Sequence, residues 1–221
     1  MRVAIIDDHP LAASGVQSAL REAGFDAVTI DPTRGEAVCE PGSEAPDLAL
    51  VDLTLGDEPD GGMSFIGPLI DDGSCVVMLS GVSDELRLAA CVAAGAHGVL
   101  SKALAIDEIV LAVESIDSGA PVMSQAERDR LLALHREAEW ERANTAALLS
   151  KLSGREIQVL ASLVRGYNVQ SIADTSFVST STVRSQVKAI LRKLNVRSQL
   201  EAVALVHRLG WNPPTIDESP Q

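Results

Sequence analysis

Five short apolar runs punctuate the first 120 residues: Val3–Ile6, Ala27–Ile30, Leu48–Leu53, Cys75–Leu79 and Gly98–Leu100. Most are continuously apolar, without the alternation of a strand that faces water on one side, so they read as strands covered on both faces. Between them, Leu11–Ala23, Asp84–Ala94 and Ile106–Ser118 carry helical patterns. Each stops at a glycine, Gly24, Gly95 or Gly119, able to take the left-handed conformation that ends a helix. Pro46, Pro59, Gly61, Gly62 and Gly73 mark the connections. Alternating β and α segments with short links predict an α/β fold, a doubly wound five-stranded parallel sheet. In such sheets, sites form on the loops at the carboxyl ends of the strands.

Those ends carry chemistry. Asp7 and Asp8 follow the first run, and Asp52 stands near the end of the third. If the first and third strands are neighbours, three carboxylates converge. Burying them without a cation is costly. Their hard oxygens favour Mg²⁺. Ser80 follows the fourth run and Lys102 follows the fifth. A hydroxyl and an ammonium beside such a centre suit a phosphoryl group: the cation and the lysine offset oxyanion charge, and the hydroxyl donates a hydrogen bond.

The net charge of −13 hides a division. Residues 1–120 hold 21 acids against 5 bases, a net −16; residues 121–150 hold 5 against 4, a net −1; residues 151–221 hold 5 against 9, a net +4. Two domains with different partners follow, and only the second suits nucleic acid. The 221 residues allow this. No apolar stretch is long enough to span a membrane, and acids at position seven argue against a secretory signal. Cys39, Cys75 and Cys91 are odd in number and far apart. They read as reduced thiols of a cytoplasmic protein.

The expected organisation is a domain over 1–120, a solvated helical linker over 121–150, an all-α domain over 151–212 and a disordered tail over 213–221. In the third part, Ser153-Gly154-Arg155-Glu156 is a capping box opening a helix to Arg165, stopped by Gly166. Two shorter helices follow, Val169–Thr175 and Thr180–Leu194, the latter with Ser179 as N-cap. A last helix opens at Ser198 and ends at Gly210. Val183, Val187, Ile190, Leu191 and Leu194 form one buried stripe, and Arg184, Lys188 and Arg192 recur every four residues on another face, beside Ser185. A short helix, a tight turn at Ser176-Phe177-Val178 and this basic helix make a helix-turn-helix, whose second helix lies in the major groove of DNA.

The set Asp7/Asp8, Asp52, Ser80 and Lys102 resembles the receiver domain of bacterial two-component response regulators. The stretch from Leu152, through Ser153, Glu156, Gly166, Ile172-Ala173, Ser179, Thr182-Val183 and Lys193-Leu194 to Ala202, is similar to the LuxR-type DNA-binding domain of the NarL/FixJ family. The resemblance implies that Asp52 accepts a phosphoryl group from a sensor histidine kinase. Asp8, Asp52 and the Thr54 carbonyl would bind Mg²⁺, Asp7 chiefly through water. Ser80 and Lys102 would engage the phosphoryl oxygens. Arg184, Ser185 and Lys188 would contact promoter DNA in the groove, Thr182 and Arg192 its phosphates, and Lys193 would be structural. The last helix implies a homodimer.

Two departures stand out. Gly56 replaces the usual proline four residues after the acceptor, in the acidic loop Gly56–Gly62. Val99 replaces the usual aromatic switch residue three before the lysine, and without that ring the resemblance implies a weak or altered coupling of Ser80 to the face made by the fourth helix, fifth strand and fifth helix of the receiver. An atypical, phosphorylation-independent transcription factor under protein or small-ligand control is therefore the alternative. A Mg²⁺-dependent phosphohydrolase commonly needs an acid two residues after its nucleophile, where this chain has Thr54.

Overall fold

The computed structural model describes residues 1–34, 45–56, 58, 60–81, 84–208 and 211. Cys39, the connection beyond Arg34 and the expected tail 213–221 lie outside the described residues. The chain divides into two compact units, Met1–Glu137 and Ala138–Gln221.

The first unit follows the apolar runs. Its elements are β1 (Arg2–Ile6), α1 (Pro10–Glu22), β2 (Asp26–Ile30), β3 (Leu48–Asp52), α2 (Ile66–Asp71), β4 (Cys75–Ser80), α3 (Glu85–Ala93), β5 (Gly98–Ser101) and α4 (Ile106–Asp117). The strands form one parallel sheet in the order β2-β1-β3-β4-β5. Successive side chains of each run go to opposite faces, and both faces are covered. Ile5, Leu50 and Val77 pack with Val16, Leu20, Ile109 and Val113 of α1 and α4. Ile6, Val51 and Met78 pack on the other side with Ile66 and Leu69 of α2 and Cys91 of α3. Two-sided burial is the reason the strands carry no alternation.

The glycine stops hold: Gly24, Gly95 and Gly119 have φ of +94°, +111° and +89°. The helix α2 was not evident in the sequence. It has six residues, carries Gly67 and Pro68, and follows a 3-10 turn at Gly61–Phe65.

A 25-residue helix, α5 (Gln125–Leu149), joins the units. Its charged pattern predicts solvation, but its start is anchored in the first unit. Leu131 is buried with Ala89 and Val92 of α3, against partly buried Val99 of β5. Arg128 donates to the carbonyl of Ala96 at 3.1 Å.

The second unit contains α6 (Gly154–Val164), α7 (Val169–Thr175), α8 (Thr180–Leu194) and α9 (Gln199–Arg208). The capping box forms as expected: Ser153 Oγ accepts from the Glu156 N–H at 3.3 Å, and Glu156 Oε2 accepts from the Ser153 N–H at 2.6 Å. Leu160, Ile172, Val183, Ile190, Leu194 and Val206 make its core. The turn between α7 and α8 passes through Phe177, exposed and left-handed with φ +52°.

Candidate functional site

Register brings the acids together. β1 lies beside β3 with Ile6 opposite Val51, so Asp7 and Asp52 leave adjacent strand ends. Both are buried. Lys102, just past β5, reaches between them: its Nζ stands 2.7 Å from Oδ2 of Asp52 and 2.8 Å from Oδ2 of Asp7. Burial opposes the ammonium, yet the Asp52 and Asp7 carboxylates hold its pKa above the ordinary lysine value. Burial pushes the Asp52 carboxyl up from its ordinary value, outweighing Lys102 and the Thr54 N–H.

Each carboxylate oxygen has a distinct setting. Both oxygens of Asp7 have partners: Oδ2 accepts from Lys102, and Oδ1 accepts from the His9 backbone N–H at 2.8 Å and is hydrogen-bonded to the His9 ring Nδ1 at 3.2 Å. Asp52 Oδ1 accepts from the Thr54 N–H at 3.0 Å. Asp8 Oδ2 accepts from the Gly56 N–H at 2.8 Å. Two oxygens are left, Asp8 Oδ1 and Asp52 Oδ2. Both are shielded from solvent and lack an aligned hydrogen-bond donor among the described residues, the close approach of Lys102 to Asp52 being an ion pair of poor alignment. Inward-facing carboxylate oxygens with spare lone pairs fit a hard divalent cation.

Gly56 explains one departure noted in the sequence. At φ +63° it takes a conformation closed to proline, and it supplies an N–H that proline lacks. Gly62 also stands close, since a Cβ there would lie 1.8 Å from the Asp52 carbonyl oxygen. In the acidic loop, Asp60 pairs with Arg87 of α3 at 2.6 Å, so this carboxylate is turned to a helix; Asp57 and Pro59 lie outside the described residues.

Of the remaining residues, Ser80 is buried at the end of β4, next to Ser101 in register, and its carbonyl accepts from the Lys102 N–H at 2.9 Å. Thr54 is exposed just beyond β3. Val99 is not part of the cluster. It lies opposite Met78 in the sheet and packs toward α3 and the start of α5. The sequence reading missed His9, which follows the paired acids directly. Its Nδ1 lies 2.9 Å from Asp8 Oδ1, 3.2 Å from Asp7 Oδ1 and 3.9 Å from Asp52 Oδ2.

In the second unit, Thr182, Arg184, Ser185, Lys188 and Arg192 are all exposed on α8. Arg184, Lys188 and Arg192 stand one above another, opposite the buried Val183, Val187 and Ile190. None of the three forms an ion pair among the described residues. Thr182 shares its hydroxyl with the N-cap Ser179 at 2.8 Å. Lys193 is turned inward, its Nζ 2.6 Å from Glu156 Oε2. Gln186 is half-buried with its Oε1 shielded, which takes it off the exposed stripe.

Residues 3–114 match the family model described as response regulator receiver domain, and residues 150–206 match bacterial regulatory proteins, luxR family. This chain is a NarL/FixJ-family response regulator. The regulator is 28% identical over 222 residues to the DNA-binding transcriptional activator DevR/DosR of Mycobacterium tuberculosis, covering 98% of this chain and 99% of that one. A nitrate/nitrite response regulator homolog of Haemophilus influenzae is 27% identical over 208 residues, covering 93% and 95%. Among solved structures, the Salmonella typhimurium RcsB response regulator shares the fold at a TM-score of 0.51 and 20% identity, covering 94% of this chain and 99% of that one. The regulator joins a receiver domain to a LuxR-type DNA-binding domain, as two-component transcription regulators do. Its described residues include no helix long and apolar enough to cross a membrane.

Proposed function

We propose that Asp52 is the phospho-acceptor of this regulator and that its phosphorylation controls dimerisation and promoter binding. The observation that carries the reading is the pairing of Lys102 with both Asp7 and Asp52 around two buried carboxylate oxygens that lack aligned donors. In the transfer, an Asp52 oxygen attacks phosphorus on a phosphohistidine of the sensor kinase. A P–O bond forms, the P–N bond breaks, and the donor imidazole leaves to take up a proton from solvent.

Asp8 and Asp52 would hold Mg²⁺, with Asp7 acting through water and the Thr54 carbonyl completing the set. Bound there, the ion would neutralise charge developing on the transferring oxygens. Lys102 supplies a positive charge at the same point, and the Ser80 hydroxyl, at the end of the neighbouring strand, would donate to a phosphoryl oxygen. The gathering of Asp7, Asp8 and Asp52, with Lys102 paired to Asp7 and Asp52, counts against the phosphorylation-independent alternative.

The working parts are a receiver over 1–120, a linker helix over 121–150 and a DNA reader over 151–212. Arg184, Ser185 and Lys188 would face base edges in the major groove, with Thr182 and Arg192 toward the phosphates. With +4 over residues 151–221, one reader is weakly charged, which favours a dimer on two half-sites.

The test is intact-mass analysis after incubation with acetyl phosphate and Mg²⁺. The wild type gains one phosphoryl group and Asp52→Asn gains none. A wild type that stays unmodified under these conditions, and with a histidine kinase phosphodonor, overturns the reading.

A further inference from the structure

We propose that Phe177, with Asp174 beside it at the end of α7, is a contact point for a basic protein bound to the same DNA, and that RNA polymerase is the occupant. The inference goes beyond the phosphoryl site and rests on the reading of α8 as the DNA-contacting helix.

α7 ends in a hydrogen-bonded turn. The Val178 N–H donates to the Ala173 carbonyl at 3.0 Å, and the Phe177 N–H donates to the Asp174 carbonyl at 3.3 Å. A closure of this kind turns on one left-handed residue, here Phe177, and glycine suits the position because it lacks a Cβ. The chain follows that rule at other helix ends, with Gly24, Gly95 and Gly166, and with Asn195 after α8. Phe177 breaks it. A bulky residue at φ +52° is disfavoured by its own backbone, and at 96% exposure its ring recovers nothing from the core.

Asp174 is a second local misfit. An acid in the last turn of a helix opposes the helix dipole, which favours cations there. Three acids lie between residues 151 and 208. Glu156 is paired with Lys193, and Glu201 accepts from the Arg197 N–H at 2.8 Å. Asp174 is exposed; it accepts from the Gln170 side chain at 2.9 Å and forms no ion pair among the described residues. An exposed ring and an exposed acid three residues apart, each against its local preference, mark a contact surface, since neither serves the fold.

The surroundings select the occupant. The turn leads directly into the N-cap Ser179 and α8, so a partner there sits close to the duplex when α8 is in the groove. DNA itself is a poor match, because the Asp174 carboxylate and the negative end of the α7 dipole repel phosphates. A second copy meeting here about a twofold axis would set acid against acid. A protein that binds the duplex alongside is basic where it meets phosphates. An apolar pocket rimmed by lysine or arginine accepts ring and carboxylate together, with the aromatic side chain as anchor. RNA polymerase is such a protein, and it stands beside a regulator bound at a promoter.

The experiment measures the affinity of RNA polymerase holoenzyme for a fluorescent promoter fragment on which the full chain leaves a footprint. It is run with and without the full-length regulator treated with acetyl phosphate and Mg²⁺. The proteins compared are wild type, Phe177→Gly, Phe177→Asn and Asp174→Asn. Glycine and asparagine both suit left-handed backbone, so thermal melts should show no loss of stability in the Phe177 variants. Their own affinity for the DNA should equal that of wild type. The gain in polymerase affinity that wild type confers should fall about tenfold in both Phe177 variants, and by less in Asp174→Asn. Undiminished recruitment of polymerase by Phe177→Gly and Phe177→Asn overturns the proposal, as does a wild type that binds the DNA without raising polymerase affinity. Weaker DNA binding or lost dimerisation in these variants would place the ring against DNA or a second copy, and overturns it too. A wild type that binds no DNA overturns the reading of α8, and the inference with it.

Discussion

The guanidinium of Arg130, in α5, grips Glu85 at the first turn of α3 through two N–H donors, at 3.0 and 3.2 Å. Beside this pair, Leu131 is buried on Ala89 and Val92, with Val99 at the edge. The start of the linker helix thus covers the face of the receiver that carries Val99. The apolar contact and the ion pair differ in weight. Arg130 is exposed, and solvent and salt screen such pairs until they contribute little. Leu131 leaves a cavity when truncated. Leu131→Ala should therefore lower the stability of the first unit by about 2–5 kcal/mol, while Arg130→Ala produces no resolved change. Urea denaturation of the full chain measures both, and equal effects would refute this division.

Gly56 allows a cleaner separation. Alanine at its φ of +63° strains the backbone by roughly 1–2 kcal/mol but keeps the N–H that orients Asp8. Proline removes that donor and cannot adopt the conformation at all. Gly56→Ala should therefore lose stability with only a small change in Mg²⁺ affinity, and Gly56→Pro should lose both. Thermal melts and Mg²⁺ titrations of the two variants provide the check. Equal Mg²⁺ affinities in the two would show that the Gly56 N–H does not position Asp8.

These cases show what the sequence could and could not display. Strands covered on both faces declare themselves as unbroken apolar runs, and Gly24 or Gly95 marks a helix end wherever it stands. The meeting of Asp7, Asp52 and Lys102 was legible because strand ends of a parallel sheet share one edge. The helix α2 was hidden because six residues containing Gly67 and Pro68 carry no full period. The anchoring of α5 uses Leu131, buried, with Leu132 and Leu134 partly buried beside it, and periodicity does not reveal which leucine of a mostly charged helix will find a partner. The direction of the His9 ring depends on side-chain torsions at the entrance to α1. Its position after the two acids was visible; its approach to Asp8 was not.

In the second unit, Glu156 supplies a pH dependence whose sign can be worked out. Lys193, 2.6 Å away, and the backbone N–H of Ser153 hold its carboxyl below the usual glutamate range. A carboxyl with a folded pKa below its unfolded one stabilises the fold fully above the unfolded value, near 4.3. That contribution fades as the pH falls through the depressed folded value. Glu156→Gln should abolish this part of the acid sensitivity and lower stability at pH 7 relative to wild type. Chemical denaturation of the full chain at pH 7 and at successively lower pH tests it. A constant difference between the two proteins across that range would show that Glu156 is not linked to folding.

The inward turn of Lys193 also sharpens what α8 can do with DNA. Four basic residues lie on this helix, but one of them neutralises Glu156 inside the unit, leaving Arg184, Lys188 and Arg192 as the exposed stripe. Binding driven by phosphate neutralisation releases counterions, so each lost phosphate contact reduces the slope of log K against log salt by about one. A side chain that reads a base edge instead loosens sequence preference by about 1–3 kcal/mol at its position. Lys188 sits in the middle of the stripe, between Arg184 and Arg192. Lys188→Ala should weaken promoter binding, with a shallower salt slope if its ammonium serves phosphate and relaxed preference at one base pair if it serves the groove. Lys193→Ala should act through stability and leave the salt slope of the folded fraction unchanged. Fluorescence-anisotropy titrations of the full chain from 50 to 200 mM salt, roughly the range over which such contacts respond most, separate these outcomes. Wild-type affinity, salt slope and base preference in Lys188→Ala would remove this lysine from the DNA-reading face.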